Sequence, residues 1–455
     1  MNERDTARRF SDFASGLTLD QVPEDVREAT RLFVADYLAA CYAGLRVNRA
    51  FNRAMESQIF ALEGPERASV LEAAQRLPAE HAAFLNAVYA HGADLDDGNR
   101  KAMGHIAAHV MSAVFALAEE RGGKTWGQVM EAILVGYEVF NRLGAMAQPG
   151  LVHRGFHSTG MAGGVACAAA CARLLGLSAQ GVYDSMGIAA IQASGLMIIA
   201  ESGQALKPLN PANAARTGIL SAKLAESGVP GPRRPLDSDR GWLHAVTDQV
   251  HEEMLEGLGS EFTLPESYLK PYPSCRHTHC GIEAALRLRE AMAEVGLTLS
   301  ALESLTLYLY PNAIRIAGQI RLPAGPEEAK FSVHYSLACA LSRGDYTLED
   351  LEAPPSEEIR RLIEMLRLVP EEALEDRASG RRGCRLEALF TGGKRMVETV
   401  DLPKGDRANP MTWEDLERKL SSCLAGFPHD AKTIVQRCRA IDPAVPFQSV
   451  CKLVE

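Results

Sequence analysis

Gly160-Met161-Ala162-Gly163-Gly164-Val165-Ala166-Cys167-Ala168-Ala169-Ala170-Cys171-Ala172-Arg173-Leu174-Leu175 is built almost entirely from small apolar residues. Small side chains on every side of a helix let neighbouring backbones approach closely, so this segment predicts a central core helix. Gly176-Leu177-Ser178 ends it, and Ser178 stands where it can cap the next helix. Upstream, Trp126 to Ala147 repeats apolar residues at helical steps through Val129, Ile133, Leu134, Tyr137 and Phe140. Leu32, Ala35, Leu38, Ala39 and Tyr42 mark another such face. Downstream, Met186 to Ala200 is the most apolar stretch, interrupted by Gln192, Ser194 and Gly195. It falls short of the ~20 apolar residues that a membrane-spanning helix needs and reads as a further core helix.

The texture changes after Gly228. Gly228-Val229-Pro230-Gly231-Pro232-Arg233-Arg234-Pro235 excludes regular structure and predicts a long loop. Beyond about residue 260 strand patterns appear. Ser304 to Tyr310 alternates polar and apolar residues. Cys384–Phe390 and Met396–Leu402 flank Thr391-Gly392-Gly393-Lys394-Arg395, which predicts a hairpin with Gly in its turn. Thr412-Trp413-Glu414-Asp415 has the form of a capping box that opens a last helix. The chain therefore divides into a helical first half, an α+β segment and a helical tail.

Composition narrows the function classes. The 455 residues carry 48 Lys plus Arg against 58 Asp plus Glu, a net charge of −10. An acidic balance argues against nucleic-acid binding, which calls for a basic field. Hydrophobic residues make up 47% and charged residues 23%, the proportions of a globular protein with a sizeable core. The N-terminus shows no basic segment followed by an apolar one, so a cytoplasmic location is expected, with no membrane partner. The ten cysteines are scattered among apolar neighbours, which predicts buried, reduced thiols.

Four clusters carry chemistry. The first is His91-Gly92-Ala93-Asp94-Leu95-Asp96-Asp97-Gly98-Asn99-Arg100, continuing to His105 and His109. Three carboxylates within four residues repel one another unless a cation or a shared proton lies near. A calcium loop starting at Asp94 fails, because Gly98 falls at position 5 and His105 at position 12. His105 and His109 lie one helical turn apart, but Ile106 stands where a zinc-protease motif needs Glu. The second cluster, Gly155-Phe156-His157-Ser158-Thr159-Gly160, is neither a nucleophile elbow nor a dinucleotide fingerprint. It offers a His and two hydroxyls at a helix start, suited to an anion or to simple capping. The third is Lys207, beside the most apolar stretch, an anion hook or a surface lysine. The fourth is Lys270-Pro271-Tyr272-Pro273-Ser274-Cys275-Arg276-His277-Thr278-His279-Cys280, whose Cys and His spacing is too tight for a standard zinc site. A catalytic or carboxylate-binding His279 fits better.

These clusters, in this order, make the chain resemble the MmgE/PrpD family, which includes 2-methylcitrate dehydratase and cis-aconitate decarboxylase. The resemblance rests on Asp94-Leu95-Asp96-Asp97 with His105, on Gly155-Phe156-His157, on Lys207-Pro208-Leu209 followed by Asn213-Ala214-Ala215, on Lys270 to Cys275 with His279, and on Phe331-Ser332-Val333-His334-Tyr335. It covers nearly the whole chain. It implies a mainly α fold: a large all-helical domain from residues 1–258 with 408–455, and a smaller α+β lid domain over 259–407, with the site in the cleft. It implies a homodimer without metal or organic cofactor, and a di- or tricarboxylate as the small-molecule partner. By resemblance the catalytic residues are Asp94, His105, His157, Lys207, His279 and Tyr335, with Arg100, Lys207 and His157 binding substrate.

That set makes chemical sense unaided. Lys207 and His157 can hold carboxylates. His105 and His279 can act as acid or base near neutral pH, with Tyr335 a second acid and Asp94 orienting a His or moving a proton itself. The chain departs from the pattern of the dehydratase and decarboxylase members, in which a Thr commonly follows the paired acids. Gly98-Asn99-Arg100 replaces it, removing a hydroxyl and adding Arg100 as a bidentate carboxylate hook. The leading expectation is dehydration of a 2-methylcitrate-like acid. Decarboxylation of the cis-aconitate type, epimerisation or isomerisation of a dicarboxylate, and non-catalytic polycarboxylate binding stand as alternatives.

Overall fold

The computed structural model describes residues 5–62, 64–200, 204–376 and 381–455, which form two compact units. One comprises the residues up to Gly92, Asp96–Leu269 and Thr412–Glu455; the other comprises Ala93–Leu95 and Lys270–Met411.

The first unit is helical, and the small-residue segment lies at its centre. Helix Gly163–Leu175 packs on helices Trp126–Met146, Ala179–Ala190 and Leu209–Glu226. Close approach is built into the contact with the last of these: a Cβ at Gly218 would fall 2.2 Å from Cys167 Cβ. The segment Ser158–Leu175 is apolar and long enough to cross a membrane, yet 89% of it is buried within the protein, which makes it a core element. Gly176 ends the core helix in the left-handed conformation, and Ser178 Oγ accepts from Gly181 N–H to start the next. Helix Trp413–Cys423 opens on the Thr412/Asp415 capping box and packs on helix Glu24–Val47, but it is not the last, since helix Ala431–Arg439 follows. There Lys419 pairs with Asp36 in full burial, and Trp413 Nε1–H donates to Glu28 at 2.8 Å.

The stretch Met186–Ala200 corrects one expectation. The helix stops at Ala190, and the chain turns before a single 3₁₀ turn, Met197–Ala200. The cause is local. His157 N–H donates to Gly195 O and Met197 N–H to Gly155 O, so these peptide groups bond to the Gly155–His157 segment instead of a helix ladder. Gly195, at φ +133°, holds a conformation that side-chain-bearing residues rarely adopt. Ile191, Leu196 and Ile198 are left exposed.

The second unit is α+β. Its four-stranded sheet runs in the order Leu366–Pro370, Leu302–Leu309, Cys384–Phe390, Arg395–Val400. The first pair is parallel and the others antiparallel. Cys384–Phe390 alternates buried and half-buried residues, as expected for a sheet covered on one face. Helix His279–Glu294 supplies cover against the hairpin and also packs on helix Val333–Arg343.

Candidate active site

Asp94, Asp96 and Asp97 are all buried, at 3%, 0% and 0% exposure, so the acidic run is not a solvated turn. Three buried anions side by side are tolerated only if each has its own compensation. Each has a different one. Asp97 caps helix Ala107–Arg121: Oδ1 accepts from Ile106 N–H at 3.1 Å and Ala107 N–H at 2.9 Å, and Oδ2 accepts from the Tyr137 hydroxyl at 2.7 Å. Burial still outweighs these bonds and pushes its carboxyl up to about 7. Asp94 sits at φ +52° and pairs with Lys270, whose Nζ donates to the Asp94 carbonyl at 2.7 Å and lies 3.2 Å from its carboxylate. Asp96 pairs with histidines. Its Oδ2 lies 2.7 Å from His91 Nδ1 and its Oδ1 3.5 Å from His105 Nδ1.

The hydrogen bonds of His105 and His157 define their proton positions. His105 Nδ1 lies 2.7 Å from the Asp97 carbonyl oxygen. A carbonyl only accepts, so the proton of neutral His105 sits on Nδ1 and its lone pair on Nε2. His157 Nδ1 accepts from the Asn210 side-chain amide at 2.8 Å, which puts the His157 proton on Nε2. Neutral His105 thus carries its lone pair on Nε2, and neutral His157 carries its proton there. The His91 ring bridges them, 4.7 Å from the His105 ring and 6.3 Å from that of His157. The His105 side chain is 12% exposed, while His91 and Asp96 are fully enclosed.

Other elements complete this part of the helical unit. Lys207 is half-buried on the turn into helix Leu209–Glu226, three residues before Asn210. Arg100 is half-buried on the turn after Asn99. The expected hydroxyl donors of the second cluster turn inward: Ser158 Oγ–H donates to Ala102 O at 2.7 Å, and Thr159 Oγ1 accepts from His105 N–H at 3.1 Å. The glycine at 98 has a steric origin. Gly98 and Tyr268 exchange backbone hydrogen bonds, and a Cβ at 98 would lie 2.4 Å from the Tyr268 hydroxyl oxygen.

In the α+β unit His279 is fully buried, and both ring nitrogens are engaged. Nδ1 accepts from Arg276 at 3.0 Å, and Nε2–H donates to the Ser274 carbonyl at 3.2 Å. Burial, then the charges of Arg276 and Lys270, hold its pKa well below the usual imidazole range. This His is neutral and positions Arg276, which also bonds Asp406 at 2.7 Å. Tyr335 is likewise enclosed, its hydroxyl 2.7 Å from the Asp350 carbonyl and 3.2 Å from that of Ala353. The Cys and His residues of the fourth cluster find separate partners. Cys280 faces Arg382 O, and His277 bonds Tyr310. Among the described residues, His91, Asp96 and His105 present side-chain ligand atoms within 4.8 Å of one another. The Nδ1 proton of His105 points to a carbonyl and that of His91 to a carboxylate, so this group reads as a hydrogen-bonded network and not as a ligand set.

Sequence reasoning did not single out His91, Asp96 and Lys270, which the structure ties to the acidic run. The available signal was the crowding of acids at 94–97, which demands partners close by.

The helical unit thus carries a buried carboxylate–imidazole network of Asp96, His91 and His105 in a mainly helical chain, and similarity to known proteins gives its class. The MmgE/PrpD N-terminal domain matches residues 8–254, and the MmgE/PrpD C-terminal domain matches residues 272–440. The chain belongs to the MmgE/PrpD family. It is 29% identical over 448 residues to the cis-aconitate decarboxylase of Aspergillus terreus, covering 93% of this chain and 89% of that protein. It is 27% identical over 455 residues to the cis-aconitate decarboxylase-like protein oryM of Aspergillus oryzae, covering 93% and 92%. The human cis-aconitate decarboxylase is 27% identical over 423 residues, covering 90% and 86%.

Proposed function

We propose that this protein is a lyase that decarboxylates a tricarboxylate of the cis-aconitate kind through its own acidic and basic side chains. The observation that carries acid–base chemistry is the opposite proton placement on His105 and His157. Similarity along 93% of the chain to a cis-aconitate decarboxylase favours decarboxylation over dehydration, reversing the order expected from sequence. In such a substrate the bond from a methylene carbon to its carboxylate breaks and CO₂ leaves. The released electron pair forms a new double bond, and the old double-bond pair moves to the far carbon, whose carboxylate takes up the charge. One proton is then added there. Lys207, Arg100 and His157 Nε2–H hold carboxylates and the growing negative charge. His105 takes up a proton from solvent on Nε2, becoming imidazolium, delivers it to that carbon and returns to the neutral form. Asp94, held by Lys270, shapes the loop, while His279 and Tyr335 act as positioning residues. The exposed Ile191, Leu196 and Ile198 support a homodimer, to be checked by light scattering.

A base and a donor together also suit dehydration of a 2-methylcitrate-like acid, which keeps that reading second. Incubation with cis-aconitate and with 2-methylcitrate, followed by proton NMR, separates the two. The expected result is CO₂ and a five-carbon unsaturated diacid from the first. Failure to turn over any polycarboxylate contradicts the proposal.

A further inference from the structure

We infer that Asp96, gripped by His91, is the positioning residue that fixes the ring of His105 and sets how tightly it holds its proton. The inference rests on the acid–base reading above. Asp96 is fully buried, and its two carboxylate oxygens face two imidazoles, His91 at 2.7 Å and His105 at 3.5 Å. His105 Nδ1 bonds the Asp97 carbonyl, and Asp96 Oδ1 lies 3.5 Å from the same nitrogen, so both oxygens stand on the Nδ1 side of the ring. A carbonyl alone fixes the tautomer. An adjacent carboxylate also favours the charged imidazolium, the form that a decarboxylase needs in order to protonate its carbanion. His91 keeps the carboxylate in place by donating to its other oxygen.

The surroundings favour this division. From helix Glu24–Val47, Cys41 lies within the field of Asp96, and its thiol is pushed far up by burial, so it stays uncharged. From helix Trp126–Met146, Tyr137 faces Asp97 and Asp96, its hydroxyl raised by burial and by those acids. From helix Ala107–Arg121, His109 is fully buried among apolar groups, with its pKa lowered to about 3 by burial and then by His91, so it adds no charge. His157 faces the cluster across the His91 ring. On the same loop stand Asp97 and, three residues on, Arg100.

The test is Asp96→Asn, which keeps size and a hydrogen-bonding group but removes the charge. Two readouts are taken on the full-length protein: the pH profile of kcat with cis-aconitate, and the His105 titration by NMR of ¹³C-labelled histidine. Removing the carboxylate is expected to lower kcat about 10- to 100-fold with KM little changed, the usual scale for a group that orients a histidine. Removing a neighbouring anion lowers an imidazole pKa, so the His105 limb and its titration should both move down by about one pH unit or more. A fall in kcat with both midpoints unmoved would mean that Asp96 is merely structural and would overturn the inference. If Asp96→Asn does not fold, His91→Gln and His91→Leu decide. Gln preserves a donor to Asp96 and should keep the His105 midpoint, while Leu should lower it; equal midpoints overturn the inference. The NMR titration needs no turnover. Absence of activity on every polycarboxylate would defeat the functional reading and leave this one to be judged by the midpoint.

Discussion

The two His-bearing clusters of this chain look alike in sequence and differ in how their imidazoles are held. In the helical unit, His105 Nδ1 faces a carbonyl and its Nε2 is directed away, on a side chain that is 12% exposed. In the α+β unit, His279 has both nitrogens engaged, by Arg276 and by the Ser274 carbonyl, at zero exposure. A histidine locked by two protein hydrogen bonds at zero exposure holds structure, whereas His105 is held at Nδ1 by a carbonyl on a side chain that reaches the surface. The acids differ in the same way. Asp94 is neutralised by Lys270, Asp97 is absorbed into a helix cap, and Asp96 faces two imidazoles.

The largest effect that can break this contrast is on turnover. His105→Asn should lower kcat about 10²- to 10⁴-fold, the scale for losing a general acid or base. His279→Gln, which can still accept from Arg276 and donate to Ser274 O, should keep most of the turnover and lower the melting temperature. Equal losses in kcat would erase the distinction. Next comes the Asp94 pair. Lys270→Met leaves a buried carboxylate without its cation and should destabilise folding by about 3–5 kcal/mol in denaturant titration. A stability equal to wild type would show that Asp94 is compensated elsewhere.

Gly98→Ala should cost about 1–3 kcal/mol, because the new methyl meets the Tyr268 hydroxyl; Tyr268→Ala in the same chain should relieve the clash. A wild-type stability for the single variant would contradict the steric account. The smallest effect is a slope. The folded pKa of Asp97, about 7, lies above its unfolded value of about 3.9. Its contribution to stability is therefore fully present below about pH 4 and is lost as pH rises through 7. Asp97→Asn should flatten the fall in melting temperature between pH 5 and 8, whereas an unchanged slope would assign that fall to other groups.

Much of the fold is legible in residue order. The small-residue run at 160–175, the 126–147 periodicity and the hairpin around Gly392-Gly393 each carry a local physical signal, and each forms the expected element. Met186–Ala200 misleads because its composition is helical while its peptide groups bond to residues 155–157, a pairing that periodicity does not encode. The parallel strand Leu366–Pro370 is hidden for a similar reason, since its partner Leu302–Leu309 lies some sixty residues earlier. At the candidate site, the residue types and their spacing show in the sequence. The roles do not, because the Asp97 carbonyl, the Ser274 carbonyl and the Asn210 amide decide which nitrogen carries a proton, and folding alone places them.

The most direct test of the central claim is the reaction of cis-aconitate in deuterium oxide, followed by NMR and by CO₂ release. The account predicts one CO₂ per substrate consumed and one deuterium in each five-carbon product, at the carbon that receives the proton. Deuterium entering recovered substrate with no CO₂ released would contradict it and point instead to proton abstraction and return.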